Sequence, residues 1–133
     1  MNIVKITPDI AVSEQISPVD LADVAAAGYR VVINNRPDGE APGQPSSAEF
    51  AAAAEQHGLT YIYYPVTGMN FPGPDLEQLA GAFDSAEGPV LAFCRSGTRS
   101  INLWLATRSA EELPEALQRA RSRGYDLSMV GQR

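Results

Sequence analysis

The sequence predicts an α/β fold with a mostly parallel sheet flanked by helices. Short runs rich in β-branched and aromatic residues alternate with amphipathic stretches of about ten residues, which is typical of βαβ units. Two of the runs, YRVVIN and PVLAFC, are apolar almost throughout, as expected for strands buried on both faces of a parallel sheet. Right-handed crossovers would then place helices on both faces of that sheet.

The strand signals are runs of apolar residues bounded by turns. NIVKI and DIAVS at the start of the chain are separated by a turn at Pro8, and three further runs follow. TYIYYPV is the least regular of them, yet it still has the aromatic and β-branched content of a strand. The predicted strands are 2–6, 9–13, 29–34, 60–66 and 89–94.

Capping residues set the predicted helix ends. Ser17 can cap a helix whose first position is Pro18, and Gly28 ends that helix. Ser46 or Ser47 can cap the next helix in the same way. The remaining helices are indicated by apolar residues at helical spacing. The predicted helices are 18–27, 48–57, 75–88, 99–109 and 113–124.

The composition is that of an ordinary globular chain of 133 residues, with 44% hydrophobic and 20% charged residues. One domain over residues 1–133 is expected, because a chain of this size can bury a core without metals or disulfides. No apolar run approaches the roughly 20 residues that cross a bilayer, so no membrane association is expected. The short polar N-terminus and the lone cysteine predict a cytoplasmic location, where the thiol stays reduced.

The charge pattern favours a small anionic ligand. A net charge of −6 gives no support to nucleic-acid binding, which normally needs a basic face. Arg95, Arg99 and Arg108 nevertheless flank or follow the single cysteine, Cys94, and form a local basic region. One histidine and one cysteine far apart in the sequence offer no metal-ligand set, and no cofactor is expected.

Three segments are expected to meet at one edge of the sheet. In open α/β sheets the ligand site lies at the carboxyl ends of the strands. The segments 35–40, 67–70 and 94–99 each follow a predicted strand. Within the first of them, Asn35 and Arg36 could bind or orient a substrate. Equally, Arg36 could pair with Asp38 to brace a turn, and Asn35 could make an Asx turn.

The loop that follows Cys94 has the features of an anion site. It leads directly into a helix, so unpaired backbone amides and the helix dipole converge at one point. Glycine permits the tight turn, and hydroxyl and guanidinium groups surround it. These features favour the thiolate form of Cys94, which is a nucleophile; the alternative is a small buried hydrophobic residue. The predicted anion-binding residues of the loop are Arg95, Ser96, Gly97, Thr98 and Ser100, with Arg99 as the anchoring catalytic partner of Cys94.

Two resemblances become visible at this loop. FCRSGTRS resembles the active-site loop of rhodanese-type sulfurtransferases, whose pattern is Cys-Arg, any residue, Gly, any residue, Arg. Over almost its whole length the chain resembles the phosphatase-like domain of beta-lactamase-hydrolase-like proteins, through VINNRPDGEAPGQPSSAEF, YYPVTGMN and LAFCRSGTRSINLWL. This second resemblance implies a cysteine-phosphatase-like fold of the dual-specificity phosphatase type, with the loop cysteine as nucleophile.

The chain departs from the cysteine-phosphatase pattern in three respects. Such enzymes place the arginine after five intervening residues, a histidine before the cysteine, and a general-acid aspartate on an earlier loop. Here Arg99 follows Cys94 after four residues, Phe93 precedes Cys94, and the loop 66–69 has no carboxylate. Asp75 is the possible general acid, although capping of the following helix is the stronger expectation for it.

Sulfur transfer is therefore the leading prediction. A thiolate that attacks thiosulfate or glutathione persulfide forms a Cys94 persulfide and needs no proton donor. The first alternative is hydrolysis of a phosphomonoester through a Cys94 cysteinyl-phosphate. The second alternative is a non-catalytic anion-binding or redox-sensing module. The expected partners are a small anionic substrate (thiosulfate, a persulfide or a phosphate ester) and, as the family resemblance suggests, a persulfide-metabolising enzyme.

Overall fold

The computed structural model describes residues 1–130 and contains a five-stranded sheet in the order β1-β2-β5-β3-β4. β1 runs antiparallel to β2, and the other three strand pairs are parallel. The predicted α/β fold with a mostly parallel sheet is thus confirmed. The strands are β1 (Ile3–Thr7), β2 (Ile10–Ser13), β3 (Val31–Asn34), β4 (Thr60–Tyr63) and β5 (Val90–Phe93).

Helices cover both faces of the sheet. One apolar cluster contains residues from the third, fourth and fifth helices, and a second cluster contains residues from the first and second. Each sheet face therefore has its own core, as the crossover rule predicts. The helices are α1 (Leu21–Ala26), α2 (Ser47–Gln56), α3 (Leu76–Phe83), α4 (Thr98–Ala106) and α5 (Leu113–Ser122).

Several element ends differ from the sequence-based expectation. The helix predicted over 18–27 is a 3₁₀ turn at Pro18–Asp20 followed by α1. β4 ends before Pro65, which has no backbone amide for a strand hydrogen bond. The amides of Tyr64 and Val66 still donate to the carbonyls of Asn34 in β3 and of Asn35 after it. Helix α3 ends at Phe83, because its cap Asp84 leads into a turn. Residues 131–133 of the predicted polar tail lie outside the described residues.

The central position of β5 determines where the cysteine loop lies. β5 pairs with β2 on one side and with β3 on the other, and all of its residues are buried. The loop that leaves its carboxyl end is consequently flanked by the loops after β2 and β3. Within residues 1–130, no helix has the length and apolar content that a membrane span requires.

Candidate active site

Cys94 directly follows β5 and is completely buried. Its backbone amide donates to the carbonyl of Ser13 at the end of β2, at 3.4 Å. The amide of Gly97 donates to Cys94 Sγ at 3.1 Å. Gly97 has φ of +92° and caps the start of α4, a conformation that glycine adopts without a Cβ penalty. The loop therefore curls back so that an amide at the helix start faces the sulfur.

The loop hydroxyls point in different directions. Ser96 Oγ donates to Thr98 Oγ1 at 3.1 Å, and the Thr98 amide donates to Ser96 Oγ at 3.4 Å, which fixes the outer turn of the loop. Ser100 is buried and donates from Oγ to Asn35 Oδ1 at 2.8 Å, so it faces the neighbouring strand end. Arg95 is exposed, and its carbonyl accepts from the Gln15 amide at 3.2 Å.

Arg99 lies beside the cysteine and is held by a carboxylate. Its Nη1 and Nη2 donate to the two carboxylate oxygens of Glu40 at 2.7 and 2.8 Å, and Nη1 also donates to the Val66 carbonyl at 3.0 Å. The bond from Glu40 and, less strongly, the charge of Cys94 raise the pKa of Arg99, while burial opposes them. The guanidinium is therefore cationic and fixed in orientation next to the sulfur.

Glu40 also binds Arg36, the other predicted arginine of the site. Arg36 is buried; its Nε donates to Glu40 Oε1 at 2.9 Å and its Nη1 donates to Gln15 Oε1 at 3.0 Å. The pKa of Glu40 is lowered, first by its hydrogen bond with Arg99 and then by Arg36, although burial opposes the shift. Glu40 is thus an ionised carboxylate that joins two guanidinium groups at the mouth of the loop.

No role for Glu40 was predicted from the sequence. The Arg36–Asp38 pair that the sequence suggested is absent from the contacts of residues 1–130, because Asp38 Oδ1 instead accepts from the Ser47 amide at 2.8 Å. The spacing of four residues between Arg36 and Glu40 was the available signal. It indicates one ion pair, but not the second one across to Arg99.

Asn35 joins three elements beneath the site. Its side chain donates to the Tyr64 carbonyl at 2.9 Å and accepts from Ser100, and its amide donates to the Phe93 carbonyl at 2.9 Å. The residue is completely buried. These contacts tie the residue after β4, the end of β5 and α4 together, so the structure gives Asn35 the position of a support for the loop.

Asp75 caps α3. Its Oδ1 accepts from the Gln78 amide at 3.0 Å, and its own amide donates to the Tyr64 hydroxyl at 3.0 Å. The carboxylate is exposed and engaged at the helix start, which is the role that the capping alternative predicted.

Tyr125 is a second residue near the loop for which the sequence predicted no role. A Cβ atom built on Gly97 would lie 3.3 Å from both Cε1 and the hydroxyl oxygen of Tyr125. Burial raises the pKa of the Tyr125 phenol, and the charges of Cys94 and Glu14 raise it further. The residue lies in a segment with no helical or strand period, so the sequence offered no signal for it.

The Cys94 site is identified by its functional groups and not by a large cavity. A cavity of about 460 Å³ lies at the other end of the sheet, near Ile10 and Trp104, and the Cys94 loop takes no part in it. Among residues 1–130, no group of three or more His, Cys, Asp or Glu side chains could hold a metal ion. The Cys94 site contains a buried thiol, an amide that donates to its sulfur and a guanidinium that a carboxylate holds in place, and such donors can stabilise negative charge.

Comparison with known proteins identifies the family of this chain. The family described as beta-lactamase hydrolase-like protein, phosphatase-like domain, matches residues 2–111. A beta-lactamase hydrolase-like protein of Xylella fastidiosa is 38% identical over 132 residues, which are 96% of this chain and 30% of that protein. The chain therefore spans about a third of the length of this curated relative.

Solved structures share the fold. A candidate phosphatase from Neisseria meningitidis is 34% identical, with a TM-score of 0.80 over 100% of this chain and 99% of that one. PTPMT1 in complex with PI(5)P is 17% identical, with a TM-score of 0.68 over 97% of this chain and 90% of that one. The Neisseria protein carries a phosphatase name and the Xylella relative a hydrolase-like name, so the rhodanese part of the loop resemblance finds no support in them. By its sequence and its phosphatase-like fold, the chain belongs to the family of the phosphatase-like domain of beta-lactamase hydrolase-like proteins.

Proposed function

We propose that this chain hydrolyses phosphomonoesters through a covalent intermediate on Cys94. The observation that carries the proposal is the 3.1 Å hydrogen bond from the Gly97 amide to Cys94 Sγ, which stabilises negative charge on the sulfur that attacks phosphorus. The phosphatase-like family and fold support this reading over sulfur transfer, which the sequence alone placed first.

The proposed reaction has two steps. The Cys94 thiolate attacks phosphorus, an S–P bond forms, and the bond from phosphorus to the ester oxygen breaks, so that this oxygen leaves with the bonding pair as an aryloxide or alkoxide and takes a proton. Arg99 and the loop amides hold the phosphoryl oxygens while their charge builds up. A water molecule then attacks the cysteinyl-phosphate, which releases inorganic phosphate and returns the thiolate. Glu40 holds Arg99 in orientation before the substrate binds, since it binds the guanidinium through both carboxylate oxygens.

Protonation of the leaving oxygen determines which phosphate esters we expect this chain to hydrolyse. Asp75 is the proposed acid, but its carboxylate caps α3 in the described structure. Proton donation is worth typically about 10²–10⁴-fold, and aryl esters need it less than alkyl esters. We therefore expect kcat/KM for an aryl phosphate to exceed that for an alkyl phosphate by at least about 100-fold. Equal rates in initial-velocity assays would argue for an efficient acid.

The substrate class is a small anionic phosphate ester. The PTPMT1 structure holds PI(5)P, a phosphate ester, in a fold of the same type. In this chain, two arginines at the mouth of the loop supply the corresponding positive charge, although Glu40 offsets part of it. The substrate must therefore compete with, or add to, an internal carboxylate at Arg99.

Sulfur transfer is the second candidate, and the loop itself favours it. Four residues separate Cys94 from Arg99, and the carboxylate that binds Arg99 is held ionised and so cannot donate a proton. A Cys94 persulfide formed from thiosulfate or glutathione persulfide would need no proton donor. A persulfide-metabolising partner enzyme belongs to this candidate.

One mass-spectrometric assay separates the candidates. The protein is incubated with p-nitrophenyl phosphate or with thiosulfate, quenched in acid and weighed intact. A gain of about 80 Da marks the cysteinyl-phosphate, and a gain of about 32 Da marks the persulfide. Cys94→Ser is the control and should show neither adduct. A persulfide without a phosphoryl adduct or phosphate release would favour sulfur transfer over phosphate-ester hydrolysis. Neither adduct in a folded protein favours the non-catalytic anion-binding or redox-sensing module.

A further inference from the structure

The segment after α5 folds back onto the start of α4. Asn102 of α4 is completely buried; its Nδ2 donates to the Asp126 carbonyl at 2.9 Å, and its Oδ1 accepts from the Val130 amide at 3.1 Å. Leu127 and Val130 also pack against the core cluster that contains α4. We call residues 124–130 the C-terminal strap. Polar bonds to one buried amide and apolar packing fix the strap against the helix that carries the anion loop.

The strap brings one side chain to the loop. Tyr125 packs against Gly97, where an added Cβ would meet its ring carbon and its hydroxyl at 3.3 Å. Gly97 is the residue whose amide donates to Cys94 Sγ. The Tyr125 ring therefore lies directly against the turn that orients this amide, on the side where a side chain at position 97 would project.

We propose that Tyr125 is a positioning residue that holds the Gly97 turn in the conformation in which its amide faces Cys94. The inference rests on the proposed function, because that function needs the amide to be aimed before the substrate binds. Glycine has the greatest backbone freedom of all residues, so a glycine at this point leaves the turn free to open unless something packs against it. Donors stabilise a transition state most when they need no reorganisation.

The chemistry of the phenol suits this place. Burial and the nearby charges of Cys94 and Glu14 raise the pKa of Tyr125, so the side chain stays neutral beside the sulfur. A neutral ring adds bulk without adding negative charge to a loop that must hold an anion. A carboxylate at the same position would repel both the thiolate and the substrate.

The test uses Tyr125→Ala, Tyr125→Phe and the control Leu113→Ala. Leu113 packs against the same core but is not part of the strap. Two readouts are measured on the full chain: the affinity for inorganic phosphate by calorimetry, and the hydrogen-exchange rate of the Gly97 amide by NMR. We expect Tyr125→Ala to weaken phosphate binding by about tenfold and to speed exchange at Gly97 by at least about tenfold. Tyr125→Phe keeps the ring and should stay within about twofold of the wild type.

Kinetics add a readout that a general loss of stability would not produce. With p-nitrophenyl phosphate, Tyr125→Ala should lower kcat more than it raises KM, since an unaimed amide costs the transition state most. Leu113→Ala should lower the melting temperature but leave phosphate affinity and Gly97 exchange unchanged. Asn102→Ala, which releases the strap while keeping the ring, should shift in the same direction as Tyr125→Ala.

The outcomes are distinguishable from failure of the proposed function. If the wild type neither hydrolyses esters nor binds phosphate, the proposed function fails, while Gly97 exchange still decides the role of Tyr125. If Tyr125→Ala leaves Gly97 exchange and phosphate affinity unchanged, Tyr125 does not position the turn. An equal change in Leu113→Ala would likewise overturn the proposal, because it would trace the effect to overall stability.

Discussion

At the scale of single residues, charge pairing is the feature that organises the site. Glu40 lies between Arg36 and Arg99 and bonds both. The sequence predicts that Cys94, Arg99 and Arg36 lie at one edge of the sheet, because their segments follow the carboxyl ends of parallel strands; their roles stay predictions. The bond from Arg99 to Glu40 could not be predicted, because it spans 59 residues and depends on how two loops approach each other.

Replacing Glu40 tests whether the carboxylate orients Arg99. In Glu40→Gln the guanidinium keeps its bond to the Val66 carbonyl but loses its charged partner. We expect kcat/KM for an aryl phosphate to fall about tenfold, the scale of one charge-assisted hydrogen bond. Glu55→Gln, an exposed change on α2, is the matched control and should behave as the wild type. A rise in activity would instead identify Glu40 as a competitor of the substrate.

The same carboxylate makes stability depend on pH. Arg99 and Arg36 lower the pKa of Glu40 from its ordinary value of 4.5, so its contribution is complete above that pH. The contribution is lost as the pH falls from 4.5 through the lowered folded-state value. The difference in unfolding free energy between wild type and Glu40→Gln should thus be constant near pH 7 and shrink below about pH 4.5. Urea titrations across this range measure it, and a difference that persists unchanged into acid would contradict the assignment.

At the scale of elements, the strand–loop–helix unit around Gly97 carries the candidate site. The sequence indicates this unit well, because an apolar strand, a glycine and a capped helix follow one another without interruption. The strap is a different case. Its place against α4 depends on Asn102 and on core packing, and neither leaves a periodic pattern in residues 124–130. The 3₁₀ turn at Pro18–Asp20 was not predicted either. The Asp20 carboxylate accepts a hydrogen bond from the Ser17 amide, and this contact is compatible with a 3₁₀ helix or an α-helix.

Gly97→Ala tests this unit. The φ of +92° is unfavourable for alanine, and the new Cβ would lie 3.3 Å from Tyr125 and 3.5 Å from the Ser13 carbonyl. We expect a loss of about 1–3 kcal/mol in unfolding free energy and a larger loss of phosphate affinity than of stability. Gly81→Ala in α3 is the control, because nothing lies within 4 Å of its Cβ position. There alanine should stabilise the helix by about 0.5–1 kcal/mol, as chemical denaturation would measure.

At the scale of the whole molecule, two cores on either side of one sheet support the site. The sequence predicts this architecture because strand and helix patterns alternate and the strands read as buried. It does not specify the strand order, since which strands pair depends on packing between distant elements. The placement of β5 between β2 and β3 is therefore a finding of the structure. The single-domain expectation for residues 1–133 stays a prediction.

Core truncation should separate stability from activity. Leu91 on β5 is completely buried in the cluster that faces α1 and α2. Leu91→Ala should cost about 2–5 kcal/mol in unfolding free energy, while the protein that remains folded keeps the wild-type KM. Val19→Ala is the control, because Val19 is 81% exposed, and it should change neither quantity. A changed KM in Leu91→Ala would indicate that the cores transmit strain to the loop.

The interior position of β5 also determines which local unfolding events can reach the cysteine loop. Thermal fraying begins at sheet margins, which here are β1 and β4. One further strand, β2 or β3, separates each edge strand from β5. Detachment of an edge strand alone therefore does not expose the Cys94 sulfur. Fraying of β1 or β4 should accordingly leave unchanged the rate at which a small alkylating reagent modifies the Cys94 thiol of the folded protein.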